Sequence, residues 1–187
     1  MLALSSGVQA APPSVPNVPN PQLLRRALDA LSRNAARLDA IDRIGIVDFS
    51  APSRSPRFYI LDVATGYSRS LLVTHGRGSD PDHQGWLQHF SNIPGSAASS
   101  SGAYVTGDRY TGRHGTSRRL VGLDPENSNA ERRAIVIHAA AYVSAGMAAQ
   151  RGKIGRSEGC FAVAQSDIAL VLEQLDSGRL IYADRLI

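Results

Sequence analysis

Between Pro21 and Leu38 the apolar residues Leu23, Leu24, Ala27, Leu28, Leu31, Ala35 and Leu38 recur every three to four positions, with Arg25, Arg26, Asp29 and Arg33 on the other face. That spacing predicts an amphipathic helix packed on a domain. Asn20-Pro21 supplies its start. The Asn oxygen can accept from a free amide of the first turn, and Pro lacks the N–H that would go unpaired at the first helical position. Farther on, the pattern shifts to short apolar runs. Ile44 to Phe49, Arg57 to Asp62 and Tyr67 to Thr74 read as strands, the last two joined by a hairpin-type turn at Val63-Ala64-Thr65-Gly66. Gly102 to Gly107, Arg118 to Leu123, Ala134 to Ile137 and Leu180-Ile181-Tyr182 are further strand candidates. Ser166-Asp167 is expected to cap a short helix, Ile168 to Leu175, that stops at Asp176-Ser177-Gly178.

Many strands and few helices give a mainly β domain with peripheral helices. Residues 1–20 end in a stretch with Pro12, Pro13, Pro16 and Pro19, an extended linker that cannot form a helix. The expected division is therefore residues 1–20 as leader remnant and linker, 21–40 as the helix, and 41–187 as the main domain. The polar segment from Arg77 to Ser101 is too long for a simple connection. It is expected to be mobile and to close over a bound ligand, anchored by Trp86 and Phe90.

With 187 residues, 43% of them apolar, the chain is long enough for one domain with a real core. The net charge is +4, carried almost wholly by arginine, since Lys153 is the single lysine. A mildly basic surface suits an acidic partner. No basic run is interleaved with aromatics, so nucleic acid is not the expected partner. No apolar run reaches the roughly 18 residues of a membrane span. One cysteine, Cys160, rules out an internal disulfide.

Two segments carry candidate chemistry. In Ala134-Ile135-Val136-Ile137-His138-Ala139-Ala140 an apolar strand ends in a histidine followed by small residues. In Gly155-Arg156-Ser157-Glu158-Gly159-Cys160 a glycine directly precedes the cysteine, and a turn of this kind can aim successive amides at one point, as an oxyanion hole requires. A thiol ordinarily titrates near ~8.5, and a neighbouring imidazole can take its proton and pass it to a leaving amine. The bland alternatives stay open at this level: a lone Cys as a small core residue, and His138 as a structural histidine. His75, His83, His89 and His114 form no H-E-x-x-H arrangement, and Gly76-Arg77-Gly78 is too short for a phosphate-binding loop, so neither metal nor cofactor is expected.

Ile135-Val136-Ile137-His138 followed by Ser157-Glu158-Gly159-Cys160 resembles the L,D-transpeptidase signature. More closely, the chain is similar to the murein L,D-transpeptidase catalytic domain branch of that YkuD-type superfamily. The shared stretches are Thr74 to Ser79, Ser91 to Ser96, Gly102 to Gly107, Tyr110 to Gly115, Arg119 to Leu123 and Gly155 to Ser157. The resemblance implies a β-sandwich-like domain and a cysteine acyltransferase acting on peptidoglycan stem peptides, attacking residue three at its L-centre carbonyl and releasing D-Ala. It implies Cys160 as nucleophile, His138 as general base and the Ala139 carbonyl as the group orienting the imidazole. It also implies amides of Gly159 and Cys160, with Glu158, as the oxyanion hole, and places Ser157, His75 and Tyr110 by the substrate. The chain departs from the pattern where Phe161-Ala162-Val163 follow the Cys in place of the wider family's Arg and Asn; Arg156 is the candidate replacement cation. His138 and Cys160 are 160 − 138 = 22 positions apart, longer than the family's usual gap. Glu158 stands where His, Lys or an aromatic is usual, and its carboxylate, which would oppose a thiolate if turned inward, is expected to point outward.

Three function classes follow: a transferase linking stem peptides, a hydrolase of the same bonds (carboxypeptidase or endopeptidase), and a wall-binding module without activity. The resemblance also implies acylation by carbapenems, and the protein is expected to be a monomer in the periplasm or cell envelope. Leu2-Ala3-Leu4 and Val8-Gln9-Ala10 look like the end of a signal peptide. N-terminal sequencing of protein from the envelope fraction is expected to begin near Ala11; an intact Met1 in a cytosolic fraction would contradict export.

Overall fold

The computed structural model describes residues 19–186, so the expected leader remnant and most of the expected proline-rich linker lie outside the described residues. Those residues form three α-helices and eight strands: α1 (Pro21–Asn34), β1 (Arg43–Asp48), β2 (Phe58–Asp62), β3 (Ser68–Leu71), β4 (Gly102–Gly112), β5 (Gly115–Gly122), β6 (Val136–Ala139), α2 (Ala145–Arg151), β7 (Phe161–Val163), α3 (Ile168–Gln174) and β8 (Leu180–Asp184). The strands hydrogen-bond in the order β3-β2-β1-β8-β4-β5-β6-β7. Pairing is antiparallel except for β1 with β8 and β6 with β7. The mainly β class with peripheral helices is what the apolar pattern predicts.

The helix start is as the sequence indicates: the Asn20 side chain accepts from the Gln22 amide, and Pro21 opens α1. The helix ends sooner than the spacing suggests, giving way to a 3-10 turn at Ala35–Arg37. Its buried stripe is Leu23, Ala27, Ala30, Leu31 and Asn34, packed on Ile44, Ile46, Leu61, Ala103, Leu180 and Tyr182. The alternate residues of the same strands, Val47, Ile60, Tyr104 and Ile181, enter the larger core on the opposite face. Successive side chains of a strand point to opposite faces, so one strand serves both cores. The turn at Val63–Gly66 is present, with Gly66 in the left-handed region at φ +72°. Two elements had no clear pattern, the three-residue β7 and α2, which is capped by Ser144. At α3, Asp167 occupies the cap position but makes no cap bond; its carboxylate accepts from the Ser166 hydroxyl instead. The expectation of a side-chain cap there is therefore wrong.

The larger core joins residues from both ends of the strand order, Phe58 and Leu71 with Ile137, Phe161 and Val163. The sheet curls over that core until its two ends meet. The chain leaving β3 runs alongside the segment that enters β7: the Thr74 amide donates to the Ala162 carbonyl (3.0 Å), and Gly76 forms a parallel bridge with Ser157. Gly76 permits this contact, since a Cβ there would lie 2.2 Å from the Ala97 carbonyl oxygen and 2.8 Å from the Gly159 nitrogen.

A buried polar cluster holds the crossing in place. Arg57 has no exposed surface; it donates to the carbonyls of Val73 and Ala51 and to Nδ1 of His75 (2.8 Å), and lies over the Phe49 ring. Because the guanidinium can only donate, His75 Nδ1 accepts, and the ring's proton sits on Nε2, which donates to Asp80 (3.2 Å). Asp80 also accepts the amides of Gln84 and Gly85. Burial pushes the Asp80 carboxyl up, but these hydrogen bonds outweigh it and hold the group below its usual range. Burial, then the facing Arg57, push His75 down to about 4. His75 is thus a neutral interior residue, 1% exposed, and the expectation that it lines a cleft is incorrect.

Two outcomes test this account. Leu23→Ala removes a fully buried side chain between α1 and the sheet and should cost about 2–5 kcal/mol in chemical denaturation. His75 is neutral when folded and titrates near ~6.5 when unfolded. Its contribution is therefore complete above the unfolded value and is lost as pH falls through about 4. Between these limits stability should decline by roughly 3 kcal/mol on account of this group. In His75→Gln the slope of stability against pH over that window should be shallower, whatever the variant's absolute stability; an equal slope would contradict the assignment.

Candidate active site

The turn carrying Cys160 is built by the crossing just described. The Ser157 amide donates to the His75 carbonyl, and the Arg77 amide to the Ser157 carbonyl. The Ser157 hydroxyl folds the turn on itself, donating to the Cys160 carbonyl (2.6 Å) and accepting the Gly159 amide (3.2 Å). Gly159 has φ +110°, and a Cβ there would lie 2.5 Å from the Ala98 carbonyl oxygen. No other residue fits that conformation and that space together. Ser157 is thus a buried scaffold for the turn, and the Gly159 amide is committed inside it. Among the two amides proposed for an oxyanion hole, only that of Cys160 has no partner in the turn.

Cys160 opens into a cleft of about 700 Å³ whose walls include Arg77, Ala97, Tyr110, Arg133 and Glu158. A smaller recess of about 190 Å³ shares Cys160 and His114 with it and adds His138, Tyr142 and Arg156. His138 lies within β6, which runs one residue past it. Its Nδ1–H donates to the Ala139 carbonyl (2.9 Å), so the ring's lone pair is on Nε2. Burial, more than the charges of His114 and Arg113, lowers its basicity, while the Ala139 bond partly opposes this. Burial likewise raises the Cys160 thiol, with the Val136 amide and Arg133 acting against it. The thiol lies 3.6 Å from the Ala134 carbonyl oxygen. Ala134 holds φ +53°, one of three non-glycine residues with positive φ among the described residues; Ala97, on the same cleft, is another. Local strain of this kind concentrates where a site needs a carbonyl or amide aimed at one point.

Of the residues singled out from sequence, Cys160, His138, Ala139, Gly159, Ser157, Glu158, Arg156 and Tyr110 converge here, and His75 does not. Glu158 points outward and pairs with Arg77 (3.2 Å), both well exposed. Tyr110 lines the cleft beneath the Arg119 guanidinium, 4.7 Å from its ring centroid. Arg156 is tied to the carbonyls of Asp80 and Pro81, so it anchors the 77–101 segment. The cation beside the thiol is Arg133, which sequence reasoning missed. It donates to the carbonyls of Ser91 and Ala98 and to the hydroxyls of Ser96 and Ser100. The only advance signal was an Arg pair just before the His138 strand. His114, set aside as a loop histidine, stacks on His138 with ring centroids 4.3 Å apart.

The 77–101 segment is fastened along its length rather than draped free. Gly78 donates to Ala97, Ser99 to the Ser79 hydroxyl, and Ser91 to Ser99. Phe90 packs on the core as expected, but Trp86 is 42% exposed and Leu87 takes the buried place beside it. No group of three or more His, Cys, Asp and Glu side chains suited to a metal occurs among the described residues. No described helix is long and apolar enough to cross a membrane.

Comparison with known proteins adds the family. Among solved structures, the chain resembles the helical cell shape determining protein Pgp2 from Campylobacter jejuni, at 14% identity and a TM-score of 0.50, over 84% of this chain and 54% of that one. It is also similar to an L,D-transpeptidase from Mycobacterium smegmatis (11% identity, TM-score 0.47, 76% of this chain and 58% of that one). A third is L,D-transpeptidase 1 from Mycobacterium tuberculosis (13%, 0.41, 75% and 60%). The chain spans somewhat over half the length of these proteins. At 14% identity the likeness to Pgp2 speaks for the fold alone. No curated protein gives a match. The sequence profile of the L,D-transpeptidase catalytic domain matches residues 17–183, which takes in every described helix and nearly every residue of the sheet, and the chain belongs to that family.

Proposed function

We propose that the chain is a cysteine acyltransferase of the cell envelope acting on peptidoglycan stem peptides. The observation that carries this reading is the shared recess of Cys160 and His138, with His138 Nδ1–H held by the Ala139 carbonyl so that Nε2 is the basic nitrogen. A raised thiol beside a weakened imidazole rests as a neutral pair. The proton therefore leaves sulfur for Nε2 as sulfur attacks the carbonyl carbon of stem residue three. The Cys160 amide faces the developing oxyanion, and Arg133 offsets its charge. Collapse of the tetrahedral intermediate breaks the C–N bond to D-Ala, whose amine leaves with the proton from His138. An acceptor amine then attacks the thioester, loses a proton to Nε2, and expels sulfur, which recovers that proton. Arg77, Arg113, Arg132 and Arg133 on the cleft suit a substrate bearing several carboxylates.

The test is incubation with purified tetrapeptide muropeptides, read by mass. Cross-linked dimers with loss of one D-Ala per bond are expected; tripeptides alone would replace the transferase reading with hydrolysis, and no change would leave a binding module. Cys160→Ala should abolish turnover with the fold intact, and His138→Ala should lower it by about 10²–10⁴-fold. Activity should be complete at neutral pH and fall on acidification as His138 takes a proton, with its midpoint below that of an ordinary imidazole. A carbapenem should add once to the wild-type chain and not to Cys160→Ala; an adduct that persists in the variant would place the nucleophile elsewhere.

A further inference from the structure

The β4–β5 hairpin brings a second imidazole to the site. Its strands pair from Tyr104 with Gly122 down to Gly112 with Gly115, leaving Arg113 and His114 at the tip. Neither tip residue has positive φ, and Gly115 does, at +75°. That is the pattern of a turn followed by a left-handed glycine, which sets the direction in which the tip side chains project. Between Thr106 and Arg109 the register slips, and such a bulge bends a hairpin. The buried Arg118 pins the bend, donating to the Gly107 carbonyl at the slip and to Leu172 and Asp176 beyond it. The bent tip lies against β6, where the His114 ring stacks on His138 at 4.3 Å and 24°. Arg113 Nε–H donates to His114 Nε2 (3.0 Å), so the covering ring is itself held from one side.

We infer that His114 is a positioning residue for His138: its ring closes one face of the His138 imidazole against water and fixes the ring plane, while the Ala139 carbonyl fixes the rotation within that plane. The inference rests on the proposed Cys160–His138 chemistry and adds to it a residue that acts through the His138 ring. An imidazole anchored by one hydrogen bond can still rock about it, and small errors in alignment lower the rate of proton transfer steeply. A stacked ring removes that freedom. Positive charge on the His114 ring also opposes a proton on His138, which favours the neutral, proton-accepting form of His138. The other charged or titratable groups facing His138 are Arg113 from the tip, Cys160, Glu158 and Arg156 from the turn, Tyr142 after β6, and Arg77.

The experiment compares wild type, His114→Ala and His114→Phe in the full chain. Because His114 is exposed at a hairpin tip, neither substitution removes core packing. Two readouts are taken: titration of the His138 ring protons by NMR, assigned by their loss in His138→Ala, and the pH profile of Cys160 acylation by a carbapenem, followed by mass. In His114→Ala the His138 titration and the acid limb of the acylation profile should both move to higher pH, and the plateau rate should fall roughly tenfold. His114→Phe, which keeps the flat ring without its nitrogen atoms, should place both between wild type and His114→Ala, since it restores the cover but not the charge, and should recover the plateau to within about threefold. A titration and acid limb unmoved in His114→Ala would overturn the inference, as would a Phe variant indistinguishable from the Ala variant. A purely structural loss would lower the plateau and leave the limb where it was, and would also overturn it. The NMR titration reports on the stack even if Cys160 takes no acyl group, so failure of the proposed chemistry is distinguishable from failure of the stack.

Discussion

Arg57, a guanidinium with no exposed surface, is the constraint on which the rest of the site depends. A buried cation is tolerated only when its donors are met, and here they are met by the Val73 and Ala51 carbonyls and by the His75 ring. Burial lowers Arg57 to about 9, which leaves it charged at neutral pH. Its charge therefore dictates that His75 accept and stay neutral, and His75 in turn hands its Nε2–H to Asp80. Each link fixes a piece of chain: Val73 on the way out of β3, His75 at the crossing, and Asp80 at the start of the long segment. The crossing presents the His75 carbonyl to Ser157, and the Cys160 turn begins there. The chemistry at one end of the sheet is thus referenced to an arginine that never touches the cleft.

The site itself combines a neutral pair with a positive rim. Burial acts in opposite directions on thiol and imidazole, raising the one and lowering the other, so both are neutral at neutral pH. The surrounding arginines do carry charge, and most are occupied. Arg77 pairs with Glu158, and Arg133 satisfies the backbone of the 91–100 stretch. A carboxylate-rich ligand entering the cleft would compete with Glu158 for Arg77 at little cost, since an exposed pair of this kind contributes only about 0–1 kcal/mol. Arg133 is different in kind: its donors hold the wall of the cleft in shape, and removing it would leave the Ala98 carbonyl unpaired as well as a charge missing.

The fold and the site differ in how far the linear sequence reveals them. Periodicity was enough for α1, for β1 to β3 and for the alternation of faces, because spacing along one element depends on that element alone. It was not enough for β7, whose three residues are too few for any period to register, or for the joining of the sheet's ends through Thr74 and Ala162. The Gly-Cys turn, the His138 strand and the outward Glu158 were legible because each is a local signature. His75 misled because the resemblance places its segment by the substrate, whereas Arg57, eighteen positions earlier, holds the side chain in the interior. Arg133 and His114 carried no local mark of their roles. One approaches the thiol and the other the His138 ring only after the bend in β4–β5 and the left-handed turn at Ala134 have set their directions. The sequence by itself determined which groups could do chemistry, since that is a property of side chains. Which cation neighbours the thiol, and which ring covers His138, were decided by tertiary structure, because charge and stacking act through distances that separation along the chain does not encode.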